Sequence, residues 1–101
     1  MTIFLHSSMR CELLLHRQFK KDLQKLKRAG WNMEQAKTAL HILAEGPPFP
    51  VKYGVHELQG SMQGVYDMHV THNWLILFCY REKNVIEILR TGTHASINLT
   101  E

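Results

Sequence analysis

Hydrophobic and polar positions change period along this chain, and each change marks an element. "CELLLH" (11–16) is a short apolar run and predicts a first strand. In "RQFKKDLQKLKRAG" (17–30), Phe19, Leu23 and Leu26 recur at helical spacing among charged and polar residues, so one narrow stripe faces a core. Gly30 suits the position just past a helix end, where positive φ costs a residue without Cβ nothing. Asn32 reads as the N-cap of a second helix, with Gln35 three residues on as in a capping box. Ala36, Ala39, Leu40 and Leu43 form its apolar face, and "EGPPFP" (45–50) stops it because proline cannot continue a helix. The two helices form a short antiparallel hairpin.

From residue 51 onward the period shortens. "YGVHELQG" (53–60) predicts a short strand or extended arm closing at Gly60. In "QGVYDMHV" (63–70), Val65, Asp67 and His69 face one way while Tyr66, Met68 and Val70 face the other. "WLILFCY" (74–80) is continuously apolar, as a central strand covered on both faces requires. "REKN" (81–84) is a polar hairpin turn, and "VIEILRTG" (85–92) is a last strand broken by Gly92. The expected class is α+β: an N-terminal strand and a two-helix hairpin packed on an antiparallel sheet of about four strands. Residues 1–101 form one domain, within which residues 1–8 add no clear element and Met9 is an alternative start.

Composition narrows the function classes. With 101 residues, 45% hydrophobic and 21% charged, the chain can bury a core without disulfides and is not disordered. A net charge of +3 permits a nucleic-acid or acidic protein partner and proves neither. Cys11 and Cys79 make no disulfide framework, so a reducing compartment is expected, with Cys79 a small buried apolar residue. No apolar run approaches a membrane span, and the "MTIFLHSSM" opening is too short for a signal peptide; a cytoplasmic protein without membrane contact is expected.

Seven histidines are many for this length. In an antiparallel meander the end of 63–70 meets the start of 74–80, which meets the end of 85–91. His69, Trp74 and Arg90 therefore share one edge of the sheet, with His94 folding toward it and His56 reaching it from the short strand. Imidazoles and a guanidinium suit RNA cleavage by the substrate's own 2′-hydroxyl, without metal or cofactor. A neutral imidazole removes the 2′-proton, a protonated one donates to the leaving 5′-oxygen, and Arg90 meets the phosphate charge. Trp74 is placed to stack on a base. His72, Asn73 and Lys52 are counted with Trp74 as substrate-binding. The plainer alternatives are solvated surface histidines, an Arg90 paired with Glu87 or Asp67, and Trp74 as core. The three-residue step in "HVTH" is a weak zinc signal, since no further ligand accompanies it.

"VHELQGSMQGVYDMHVTHNWLILFCY" followed by "ILRTGTHASI" resembles the YafQ branch of the RelE superfamily of bacterial toxins. The pattern is H-x-L-x-G, then G-x-x-D-x-H-V, an aromatic-led apolar strand, and R-T-G-T-H, over about Phe19 to Ile97. The resemblance implies a compact sheet with two N-terminal helices. It also implies a toxin of a type II toxin–antitoxin pair that enters the ribosomal A site and cuts mRNA without metal. Its partners would be a cognate antitoxin, the ribosome and mRNA, with a hetero-oligomeric toxin–antitoxin complex. The implied catalytic residues are His56, His69, Arg90 and His94. Three positions depart from the family pattern: Asn73 replaces an aspartate that acts in proton transfer, Asn98 replaces an aromatic, and Tyr66 replaces an arginine. The competing classes are a toxin homologue that binds without efficient cleavage and, less well matched, a ParE-like gyrase inhibitor.

Overall fold

The computed structural model describes residues 10–97, so Asn98 and the stretch before residue 10 lie outside it. Strand β1 (Glu12–Leu15) passes almost directly into helix α1 (Arg17–Arg28). His16 makes the join: its backbone is extended, and its Nδ1 accepts from the Gln18 N–H at 3.0 Å, satisfying one of the unpaired amides at the helix start. Gly30 follows the helix at φ 87°, as its place in the sequence predicts. Helix α2 (Met33–Glu45) begins at Asn32, whose Oδ1 accepts from the Glu34 N–H at 2.9 Å. The cap is thus made on Glu34, while Gln35 lines a cleft described below.

A short strand β2 (His56–Glu57) leads into β3 (Tyr66–Thr71), β4 (Trp74–Glu82) and β5 (Val85–Gly92). The sheet order is β1-β5-β4-β3-β2. The expected antiparallel four are β2 to β5, and β1 adds a fifth strand at the edge, parallel to β5 with Leu13 opposite Ile86. Parallel neighbours need a long connection; the helix hairpin and the three intervening strands supply it. The expected four-residue turn at 81–84 is tighter. Glu82 pairs with Val85, leaving Lys83 and Asn84 to turn.

β4 is covered on both faces, as its unbroken apolar run requires. Ile76 and Phe78 join Leu13, Phe19, Leu40, Leu43, Met68, Ile86 and Ile88 in the main core against the helices. Leu75 and Leu77 join Leu58 and Ile97 in a smaller cluster on the other face. β3 alternates as expected, with Met68 buried toward the helices and Asp67 on the opposite side. Cys79 departs from expectation: it is only half-buried, because it opposes Glu87 where the covering of β4 runs out. Helix α1 also departs. Phe19 is buried and Leu23 packs against the core, but Leu26 stays partly exposed while Asp22 is buried.

Candidate active site

The register draws a row across four strands, with Leu77 and Asp67 on the sheet face away from the helices and Arg90 at the open edge of β5 where α1 packs. Arg90 of β5 opposes Leu77 of β4, Leu77 opposes Asp67 of β3, and Asp67 opposes His56 of β2. Strands lie about 4.8 Å apart, so Arg90 and Asp67 are roughly 10 Å apart at the backbone. In the next row on this face, His69 opposes Leu75, which opposes Gly92.

Asp67 is the centre of the arrangement. Its side chain is 2% exposed, and its Oδ1 lies 2.8 Å from His56 Nδ1. That nitrogen is also 3.3 Å from the Gly54 carbonyl oxygen. The Gly54 oxygen can only accept, so the neutral ring carries its proton on Nδ1, beside the Asp67 carboxylate, and Nε2 is the unprotonated nitrogen. Donor atoms of Asp67, His69 and His94 all lie within 4.8 Å of one another. The His69 and His94 rings are 6.2 Å apart between centroids.

Two glycines make this packing geometrically feasible. Gly54 is left-handed at φ 52°, and a Cβ there would stand 3.3 Å from His69 Nδ1. Gly92 has φ 151°, and a Cβ there would meet Ser96 Oγ at 2.4 Å. Beyond Gly92, the Thr93 N–H donates to Ser96 Oγ at 2.8 Å and the Ser96 N–H donates to Thr93 Oγ1 at 3.0 Å. This closed turn brings exposed His94 back beside β3.

Arg90 has a partner that neither plain alternative named. Its Nε donates to Asp22 Oδ2 at 2.7 Å and its Nη2 to Asp22 Oδ1 at 3.3 Å. Glu87 is instead paired with Arg81. Asp22 also accepts from the Thr91 N–H at 3.1 Å and from Gln18 Nε2 at 3.1 Å. Burial by itself pushes the Asp22 carboxyl up; hydrogen bonds from Arg90, Thr91 and Gln18, with the Arg90 charge, outweigh it and hold the group below its ordinary value. The guanidinium remains about one-third exposed (34%), with N–H groups left for a second anion.

The other expected substrate residues divide. His72 and Lys52 line an open cleft of about 540 Å³ together with His69. Asn73 is exposed in the β3–β4 turn beside His72. Trp74 needs correction as a base-stacking residue. It is 1% exposed, meets Trp31 edge-on at 5.0 Å, and donates from Nε1 to Thr91 Oγ1 at 2.7 Å. No ring face is left for a base, and the residue instead braces the strand end that carries Arg90. Asn98 lies outside the described residues.

Asp67 and Asp22 are the site residues that sequence reasoning missed. Both left a signal: Asp67 shares its strand face with His69, and Asp22 sits three residues from Phe19 on the buried side of α1. Among the described residues, Asp67, His69 and His94 form the group able to hold a metal ion. It is not the "HVTH" pair.

A family model described as bacterial toxin of type II toxin–antitoxin system, YafQ, matches residues 11–99. The mRNA interferase toxin YafQ of Escherichia coli strain K12 is 32% identical over 81 residues, covering 79% of this chain and 87% of that protein. The crystal structure of YafQ from E. coli BL21(DE3) superposes with TM-score 0.79 at 28% identity, covering 86% of this chain and 97% of that one. The toxin in the E. coli DinJ–YafQ toxin–antitoxin complex superposes with TM-score 0.78 at 29% identity, covering 88% and 98%. With the family match spanning nearly all of the described fold and the whole histidine–arginine set, the chain belongs to the YafQ family of bacterial type II toxin–antitoxin toxins.

Proposed function

We propose that this chain is a ribosome-dependent mRNA endoribonuclease, neutralised by a cognate antitoxin, that works by general acid–base catalysis without metal. The observation that carries the mechanism is the gathering of three imidazoles around one buried carboxylate. His56 Nε2 takes the proton of the 2′-hydroxyl, and the 2′-oxygen attacks the adjacent phosphorus. The P–O5′ bond breaks as protonated His94 donates its proton to the 5′-oxygen. A 2′,3′-cyclic phosphate and a 5′-hydroxyl result. Asp67 fixes the His56 tautomer and balances the imidazolium charge as it forms. His69 stands beside His94 and shares contact with the phosphate, and Arg90 meets the non-bridging oxygens as charge builds there.

Toxin fed to ribosomes stalled on a defined mRNA, and to the same mRNA free in solution, tests this reading. Discrete 5′-hydroxyl ends on ribosomes, suppressed by the antitoxin of the adjacent reading frame, are expected. Equal cutting of free RNA would remove the ribosome from the mechanism. Binding of antitoxin and ribosome with no cut ends would favour the non-cleaving homologue.

The Asn73 departure leaves the imidazole cluster intact, and Asn73 sits in an exposed turn. Asn73→Asp is therefore expected to change the single-turnover rate by less than about tenfold, well below the 10²–10⁴ of an essential acid–base group. A gain within that larger range would give position 73 a catalytic role.

The Asp67, His69 and His94 donors offer an ion one carboxylate and two imidazoles, a set that suits zinc or copper. An ion there would occupy the nitrogens that the acid–base chemistry needs. Added zinc is expected to inhibit, and a zinc-selective chelator at constant Mg²⁺ to leave cleavage unchanged. Loss of cleavage on chelation, restored by zinc, would make the ion the catalyst.

A further inference from the structure

The cleft beside the imidazole cluster has walls from three elements. Glu34, Gln35 and Thr38 come from the first turns of α2, Lys52 and Tyr53 from the turn before β2, and His69 and His72 from the end of β3 and its turn. His69 belongs both to this cleft and to the catalytic cluster, so whatever fills the cleft lies next to the reacting phosphate. At about 540 Å³ it is within the size range of small-ligand sites. Lys52 Nζ stands 5.2 Å from the Tyr53 ring centroid, so a cation–π contact holds an ammonium group at the rim. Buried Tyr53 and half-buried Val70 add apolar lining. Glu34 and Thr38 are one helical turn apart and project from one side of α2. Cation, apolar lining and a set of polar side chains suit a nucleotide: phosphate at the rim, base inside, base edge toward the helix.

We infer that this cleft is the subsite for an mRNA nucleotide flanking the scissile bond, and that Glu34 makes it select bases carrying an amino group over uracil. The inference rests on the endoribonuclease reading above. The selection follows from donor and acceptor character. A carboxylate can only accept. Adenine, cytosine and guanine each present an amino donor on the base-pairing edge. Uracil presents carbonyl oxygens on either side of its one N–H, and these repel the carboxylate. Gln35 and Thr38 both donate and accept, so they bind without choosing.

The test is cleavage-site sequencing on ribosomes translating a mixed mRNA pool, for wild type, Glu34→Gln, Glu34→Ala and Lys52→Ala. Glu34 and Lys52 are exposed and lie outside the acid–base cluster, so the variants keep the fold; circular dichroism verifies it. Wild type should cut with amino-bearing bases enriched at one fixed position from the break. Glu34→Gln and Glu34→Ala should admit uracil there, with discrimination falling about tenfold, the worth of one hydrogen bond to a charged group. Lys52→Ala should raise KM equally at all sites and leave kcat and base preference alone. Active wild-type toxin whose Glu34 variants keep the same base distribution would overturn the subsite while leaving the endoribonuclease reading intact. A uniform rate loss without altered preference would likewise overturn it, assigning the cleft to an invariant ribosomal nucleotide. Absence of any cleavage by wild type would overturn the parent reading, and the subsite with it.

Discussion

His94→Ala and His56→Ala are each expected to lower single-turnover cleavage on programmed ribosomes by about 10²–10⁴-fold, the range for loss of a positioned acid or base. Both rings are exposed and neither belongs to a hydrophobic cluster, so His94→Ala should keep thermal stability close to wild type, whereas His56→Ala also removes the imidazole 2.8 Å from the buried Asp67 carboxylate and should lower it. The two losses should differ in form. His56 is oriented through Nδ1 by Asp67 and the Gly54 carbonyl, so His56→Gln restores at most binding and not the proton acceptor. The His94 ring comes from the Thr93–Ser96 turn, and its loss removes the proton donor to the leaving oxygen. An mRNA with a 5′-bridging sulfur needs no such proton, so it should restore the His94→Ala rate and do nothing for His56→Ala. Equal rescue of both variants, or of neither, would overturn the division of roles. If both variants stay folded and cleave at wild-type rate, the cluster is not the active site.

Much of this arrangement was legible from the order of polar and apolar positions. The period-two pattern of 63–70 separated Asp67 and His69 from Met68 and Val70, and the continuous run of β4 announced a strand buried on both faces. Two facts were not legible. A parallel pairing of β1 with β5 joins residues more than seventy positions apart, and nothing in the local period of "CELLLH" distinguishes a parallel edge strand from an antiparallel one. The function of Trp74 was also hidden. An aromatic at the head of an apolar run suits a stacking platform or a core anchor equally well, and only the indole N–H bond to Thr91 and the contact with Trp31 decide for the core. The carboxylates were overlooked for a related reason. Burying a charge is expensive unless it is paired, and the charged partner of Asp22, Arg90, lies on β5 at the far end of the chain, while that of Asp67, His56, lies on a neighbouring strand whose register no local period reveals.

Asp22 joins fold and chemistry, and its removal should show in both. Asp22→Ala leaves the buried Thr91 N–H without its acceptor and frees Arg90 from α1. An unsatisfied buried donor costs about 1–3 kcal/mol, and that is the expected loss of stability. Asp22→Asn, which keeps an acceptor but removes the charge, should lose less. The pH dependence has a definite sign. The folded carboxyl titrates below its ordinary value, so its contribution is complete above the unfolded-state value of about 3.9 and is lost as pH falls through the folded value. Urea midpoints of wild type and Asp22→Asn should therefore converge below about pH 4 and stay apart above it. The effect on cleavage runs through Arg90: Asp22→Ala removes both hydrogen bonds that aim its guanidinium, and Asp22→Asn keeps at most one of them and none of the charge. The rate at saturating ribosome should fall about tenfold or more, in keeping with a lost charge-assisted pair, while ribosome affinity holds. Non-bridging phosphorothioate at the scissile position gives the readout that a purely structural role would not move. Wild type should discriminate sharply between the two diastereomers because Arg90 meets one oxygen in a fixed orientation, and Asp22→Asn should blunt that discrimination. If the variant is destabilised yet keeps both the saturating rate and the diastereomer preference, Asp22 only fastens α1 to β5, and Arg90 finds the phosphate without it.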